Sequence, residues 1–120
     1  MGSEHSKASR LRIYIGESSR YHHRALYEAV VVKAREMGLA GATVMRGLEG
    51  YGYTHRIHSA NLLTLSGDLP LVIEVIDRPD RVDQFAAVVA DMLDHGLVTI
   101  DPVSIIQYGS NRRQPTDESI

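Results

Sequence analysis

The sequence predicts an α+β domain of order β-α-β-β-α-β, a four-stranded antiparallel sheet with two helices on one face. Three observations lead there. Leu11, Ile13 and Ile15 alternate with Arg12 and Tyr14, the period-2 pattern of a half-buried strand. Two stretches, 26–37 and 82–93, repeat apolar residues at the helical period. The run 71–76 (LVIEVI) stands between them as a second clear strand.

Each element has a local reason. Gly16 ends strand one, and Ser18 or Ser19 is expected to cap helix one, because a hydroxyl accepts from the free first-turn amides. His22 and His23 would open that helix. Leu26, Ala29, Val30, Lys33, Ala34 and Met37 share one helical face, and Gly38 suits the left-handed position that stops it. Strand two begins at Ala42 to Val44 and runs towards Glu49. Gly47, Gly50 and Gly52 then crowd into six residues, which indicates a bulge or a close backbone approach. Asp68 and Pro70 set up strand three. Pro79 starts helix two, where its missing amide proton costs nothing. Val82, Phe85, Ala86, Val89, Met92 and Leu93 form its stripe, and Gly96 closes it. The last strand spans 97–108 with a bend at Pro102. Two such β-α-β halves make the ferredoxin-like fold. Its other face lacks cover, and Val44, Leu71, Ile73 and Val75 are expected to place apolar side chains there. Burial against other copies then predicts a homo-oligomer.

The chain has 120 residues, enough for one domain. That domain is expected at 10–109, between a disordered tail at 1–9 and a polar tail at 110–120. Six Tyr, one Phe and no Trp point to an aliphatic core. A net charge of −2 offers no electrostatic footprint for nucleic acid. The absence of cysteine excludes disulfides, thiolate zinc sites and thiol chemistry. No apolar run approaches the ~20 residues needed to cross a bilayer, and no secretion signal opens the sequence. The expected location is cytoplasmic, at a membrane only through a partner.

The informative stretch follows Arg46. The connection 50–68 reads GYGYTHRIHSANLLTLSGD, longer than the ~12–15 residues of ordinary structureless loops. Glycines let backbone amides approach phosphate oxygens. Arg56 can pair with phosphate, and Tyr51 or Tyr53 can stack on a base. No two carboxylates among Glu17, Glu28, Glu49 and Glu74 are spaced as an acid–base pair, and no nucleophile has an adjacent base. Catalytic residues are therefore none, and the chain reads as a non-enzyme. Glu17 suits the dipole at a helix start. Glu74 on the bare face needs a partner, expected to be Arg46 or an arginine of another subunit.

The run 41–52 (GATVMRGLEGYG), Asp68-Leu-Pro, IYIGES, and LVIEVIDRPDRVDQF together resemble the PII signal-transducer superfamily. The resemblance is closest to its PII-like branch, domain of unknown function one-ninety, and covers 11–108. It implies a homotrimer with the sheets facing inward. It implies a T-loop at about 51–68, the arm that docks on targets, with Thr54, His55, Arg56, Ile57 and His58 as partner-contacting residues. It implies an adenine nucleotide in clefts between subunits, as an effector (AMP, cyclic AMP, ADP or ATP) with no other cofactor. Arg46, Gly47, Gly50, Tyr51, Gly52 and Tyr53 would form one wall, and Gln107, Tyr108, Arg112 and Arg113 the other. The regulated partner would be a membrane transporter or channel. The chain departs from PII proteins proper in several places: one extra residue between Gly41 and Gly50 implies a bulge at Gly47, and the context of a uridylylatable tyrosine is absent. Tyr53 and Thr54 replace an Arg-Gln pair, and His95-Gly96-Leu97 replaces a lysine-bearing phosphate loop. A short ligand such as AMP or cyclic AMP needs less of that loop.

Two other readings compete. A divalent-metal-binding trimer of the same fold could use His55 and His58, but no carboxylate lies between them. His22 and His23, adjacent on a helix, would not share a face. No metal site is assigned. A small dimeric ferredoxin-like enzyme would need a catalytic set that the residues do not supply.

Overall fold

The computed structural model describes residues 5–51, 58–59 and 68–109, with side chains described outside 58–59. Along the chain these form β1 (Ser6–Gly16), β2 (Arg20–Tyr21), β3 (Arg24–Ala25), α1 (Leu26–Glu36), β4 (Thr43–Arg46), β5 (Glu49–Gly50), β6 (His58–Ser59), β7 (Pro70–Asp77), α2 (Pro79–Met92) and β8 (Leu97–Ile105). The main sheet has the order β4-β7-β1-β8, and every neighbouring pair is antiparallel. This is the ferredoxin-like arrangement.

Pairing register decides which side chains are buried. Leu11, Ile13 and Ile15 stand opposite Val75, Ile73 and Leu71. All six are buried and cluster with Leu26, Ala29, Val30 and Ala34 of α1 and Val82, Phe85, Val89 and Met92 of α2. Removing a large aliphatic or Phe side chain from water contributes about 1.5–3 kcal/mol each. Leu71, Ile73 and Val75 therefore belong to the helix–sheet core, which corrects the expectation that they line the bare face. Val44, opposite Ile73, lies on that same helix-covered face at the sheet's edge.

The open face is banded. Met45, Val72, Tyr14 and Leu97 form one cross-strand row. Behind it, Arg12 Nε donates to Glu74 Oε2 at 2.9 Å, and Arg10 Nη2 to Asp101 Oδ2 at 2.6 Å. Glu74 is thus paired within its own chain by Arg12, its cross-strand neighbour, rather than by Arg46. The register places Arg46 opposite Leu71, on the other face.

Several boundaries differ from the sequence reading. β1 starts at Ser6, and Ala8 and Ser9 are buried, so residues 6–9 are in the sheet rather than a tail. Helix α1 begins at Leu26 and has no side-chain cap at Ala25. Ser19 serves the helix by its carbonyl, which accepts from the Leu26 amide at 2.8 Å. The β2–β3 hairpin occupies the gap and carries His22 and His23 in its turn. α1 ends as expected at Gly38 (φ 79°). The Leu39 amide reaches the Ala34 carbonyl and the Gly38 amide the Arg35 carbonyl, the paired bonds of a Schellman end. β8 runs through Pro102 without a break. It is an edge strand, where proline's missing donor is tolerated.

Candidate functional site

The feature at the base of the long connection is a cleft of about 460 Å³. Four segments wall it. The end of β1 contributes Tyr14 to Gly16, and the start of β7 contributes Pro70 to Val72. Gly47, Gly50 and Tyr51 come from the outgoing arm, and His95 and Gly96 from the turn before β8. Asp68, where the connection returns, completes it.

Two glycines shape this wall by lying close to Pro70. The Gly47 amide donates to the Pro70 carbonyl at 2.7 Å. A Cβ on Gly47 would stand 3.0 Å from Pro70 Cγ, and one on Gly50 3.4 Å from it. The expected close backbone approach is therefore real, and it begins where β4 stops. Beyond it, β5 pairs with β6, with Gly50 opposite His58. The outgoing foot thus pairs with residues 58–59 inside the connection, not with the returning foot at Asp68.

The turn after β1 holds both feet. Its Glu17 carboxylate accepts from Arg46 Nη2 at 2.5 Å, next to Gly47 on the outgoing arm. Its Glu17 amide donates to the Leu69 carbonyl at 2.8 Å, and its Ser18 amide to Asp68 Oδ1 at 2.9 Å, on the returning arm. Gly16 allows this closeness, since a Cβ there would meet Asp68 Oδ1 at 3.0 Å. The Arg46 side chain is 61% exposed and is engaged by Glu17.

The structure brings Gly47, Gly50 and Tyr51 together at one cleft, whereas Arg46 is bonded to Glu17 and does not line it. The structure does not bring Gln107 and Tyr108 there within one chain. β8 leaves the cleft end at Leu97, opposite Tyr14, and finishes at Ile105, opposite Ser6. Tyr108 Oη lies 3.5 Å from the Ala40 carbonyl, and Gln107 Nε2 donates to Gly109. Gly52, Tyr53, Thr54, His55, Arg56, Ile57, Arg112 and Arg113 lie outside the described residues, and His58 is described only by its backbone pairing. Sequence reasoning missed Tyr14, Asp68, Pro70 and His95 as cleft residues. Asp-Leu-Pro directly after the long connection was the available signal for two of them. Tyr14 carried none, because strand alternation alone does not say which end of a strand meets a cleft.

The resolved charge shifts lie on the open sheet face rather than in the cleft. The Arg10 hydrogen bond holds the Asp101 carboxyl below its ordinary value, aided by the charges of Arg10 and Arg12 and opposed by desolvation. The hydrogen bond to Glu74 raises Arg12 above its own.

Residues 8–105 match the DUF190 family, described as Uncharacterized ACR. A UPF0166 protein of Aquifex aeolicus is 34% identical over 100 residues, covering 83% of this chain and 94% of its own. Among solved structures, CPII from Thiomonas intermedia K12 superposes with a TM-score of 0.68 at 15% identity, covering 88% of this chain and 94% of that one. It is described as a nitrogen regulatory PII-like protein bound to ADP, AMP and bicarbonate. CutA1 from Oryza sativa superposes less well, at a TM-score of 0.55 and 11% identity over 89% of this chain and 85% of that one. At these identities the superpositions speak for the fold. With the family match spanning nearly all of the described body, the chain belongs to the DUF190 family and has the PII-like fold.

Proposed function

We propose that this chain is a non-enzymatic signalling protein whose cleft takes an adenine nucleotide and whose arm at 51–68 engages a partner. The observation that carries the reading is the joint construction of cleft and arm. Gly47, Gly50 and Asp68 wall the cleft and are also the feet of the arm. A ligand seated there touches the arm directly. It can shift the arm only by binding one arm arrangement better than another. The turn at Glu17, which bonds to both feet, is the contact through which such a shift would act. The adenine nucleotides bound by CPII support the ligand class.

In this reading the chain is a homotrimer. Tyr14 and Val72 line the cleft and also stand in the apolar row of the open sheet face. A neighbour packed on that row would close the cleft with its own residues. Gln107, Tyr108, Arg112 and Arg113 at the far end of a neighbouring chain are the proposed second wall. The partner engaged by Thr54 to His58 is a membrane transporter or channel. Among the described residues no helix is long and apolar enough to cross a membrane. Attachment to a membrane therefore rests on that partner. The metal-binding alternative has no observation in its favour beyond the weaker CutA1 likeness. Among the described residues no three His, Asp or Glu side chains group as a metal site.

The siting is tested with Gly50→Val. The added side chain would project from the cleft wall beside Pro70. We expect nucleotide affinity, measured by equilibrium dialysis, to fall on the order of tenfold or more, from lost hydrogen bonds and backbone approach. Circular dichroism should show the fold retained. Unchanged affinity would place the nucleotide elsewhere.

A further inference from the structure

A second cavity of about 460 Å³ lies on the helical side of the molecule, under the β2–β3 hairpin. It shares no residue with the cleft at the arm base. We infer that it is a separate binding site for a small organic anion, a carboxylate or phosphate head on an apolar or aromatic body. Its size falls within the ~300–1,000 Å³ of small-molecule sites.

The lining has two parts. Ala29 and Val32 of α1 and Met92 of α2 make an apolar floor. His22, His23, Arg24 and Lys33 make a cationic or hydrogen-bonding rim, against the single carboxylate of Glu36. That carboxylate lies 3.3 Å from Lys33 Nζ, both side chains being well exposed, so the pair is weak and can open. Among the described residues, Arg24 has no carboxylate partner. A positive rim on a chain of net charge −2 is a local choice that the whole molecule's balance does not dictate.

The hairpin is built to hold these groups in place. Arg20 Nη2 donates to the His23 carbonyl at 2.9 Å and ties the turn to its own strand. His22 has φ 56°, a left-handed conformation that glycine or asparagine adopts with less strain. Its ring meets Tyr21 edge-on, with centroids 4.4 Å apart. A turn whose only task was to reverse the chain would do better with glycine there. The left-handed turn thus keeps an imidazole, beside an aromatic ring, in the lining of the cavity. Apolar floor, aromatic edge and a guanidinium without a carboxylate partner among the described residues together select an anion with an apolar body over a bare inorganic ion.

The test uses the full chain and two fluorescent probes: anilinonaphthalene sulfonate, an apolar anion, and N-phenylnaphthylamine, its uncharged analogue. The sulfonate should bind saturably. Its affinity should fall on the order of tenfold in Arg24→Glu and by several-fold in Arg24→Gln, as loss of a charged hydrogen bond implies. The uncharged probe should change by less than about twofold in both, since the apolar floor is untouched. Excess ADP should not displace the sulfonate, and Gly50→Val should bind it normally. The inference is overturned if both Arg24 variants bind the sulfonate with unchanged affinity. It is equally overturned if ADP or Gly50→Val removes the binding, since the probe would then occupy the other cleft. Circular dichroism separates either result from unfolding, and Arg24→Gln guards against a defect specific to charge reversal.

Discussion

Gly96 shows how a single residue positions the cleft. Its φ is 145°, and a Cβ there would meet the Tyr14 carbonyl at 3.0 Å and Ile15 Cγ2 at 3.1 Å. The turn from α2 into β8 can close on the end of β1 only because no side chain intervenes. Gly96→Ala should therefore destabilise the fold by about 1–3 kcal/mol, read from a denaturant midpoint. A midpoint unchanged within error would contradict this. Asp101 makes a second residue-level prediction. Its folded-state pKa lies below its unfolded value, because Arg10 hydrogen-bonds the charged form. That pairing contributes stability above the unfolded pKa, and the contribution disappears as pH falls through the folded value, below about pH 4. Asp101→Asn should flatten the acid limb of the stability profile. A limb with the same slope as the parent's would show that the pair does not matter. The sequence did not reveal these pairs, since Arg10 and Asp101 meet only through the β1–β8 register.

Among the elements, the turn at 16–19 has the widest reach. It bonds to Arg46 on one foot of the arm and to Asp68 and Leu69 on the other. Asp68→Ala removes the acceptor of the Ser18 amide and should cost about 1–2 kcal/mol, measured by chemical denaturation. It should also speed tryptic cleavage at Arg56 relative to the parent. Equal cleavage rates would mean that the clasp does not restrain the arm. The two helices and the strands β1 and β7 were legible because their apolar periods are uninterrupted. The β2–β3 hairpin was not. Arg-Tyr-His-His-Arg-Ala has neither alternation nor a glycine at its turn, and His22 takes the left-handed conformation without the usual residue. The long connection stood out as a candidate from its length and glycines, and its base does border a cleft. Four cleft residues from other segments escaped notice because they converge only in three dimensions.

At the scale of the whole molecule, the proposed function makes the sheet's open face the link between assembly and ligand binding. The sequence reading placed Leu71, Ile73 and Val75 on it, one residue out of phase. A strand flanked by apolar residues on both parities does not announce which parity meets the helices. The correct row, Met45, Val72, Tyr14 and Leu97, is still apolar, and Met45 and Leu97 are 44% and 56% exposed. If trimers form through this row, Val72→Lys should yield monomers in light scattering while circular dichroism stays native. A trimer that survives Val72→Lys would move the interface elsewhere. The central claim concerns the cleft itself, and titration calorimetry of the parent protein with ADP, AMP, cyclic AMP and ATP tests it most directly. The account predicts saturable micromolar binding of at least one of them, near one per subunit, with ATP gaining little over AMP because the turn at His95 supplies no lysine to hold further phosphates. No heat from any of the four, at two temperatures, would contradict it.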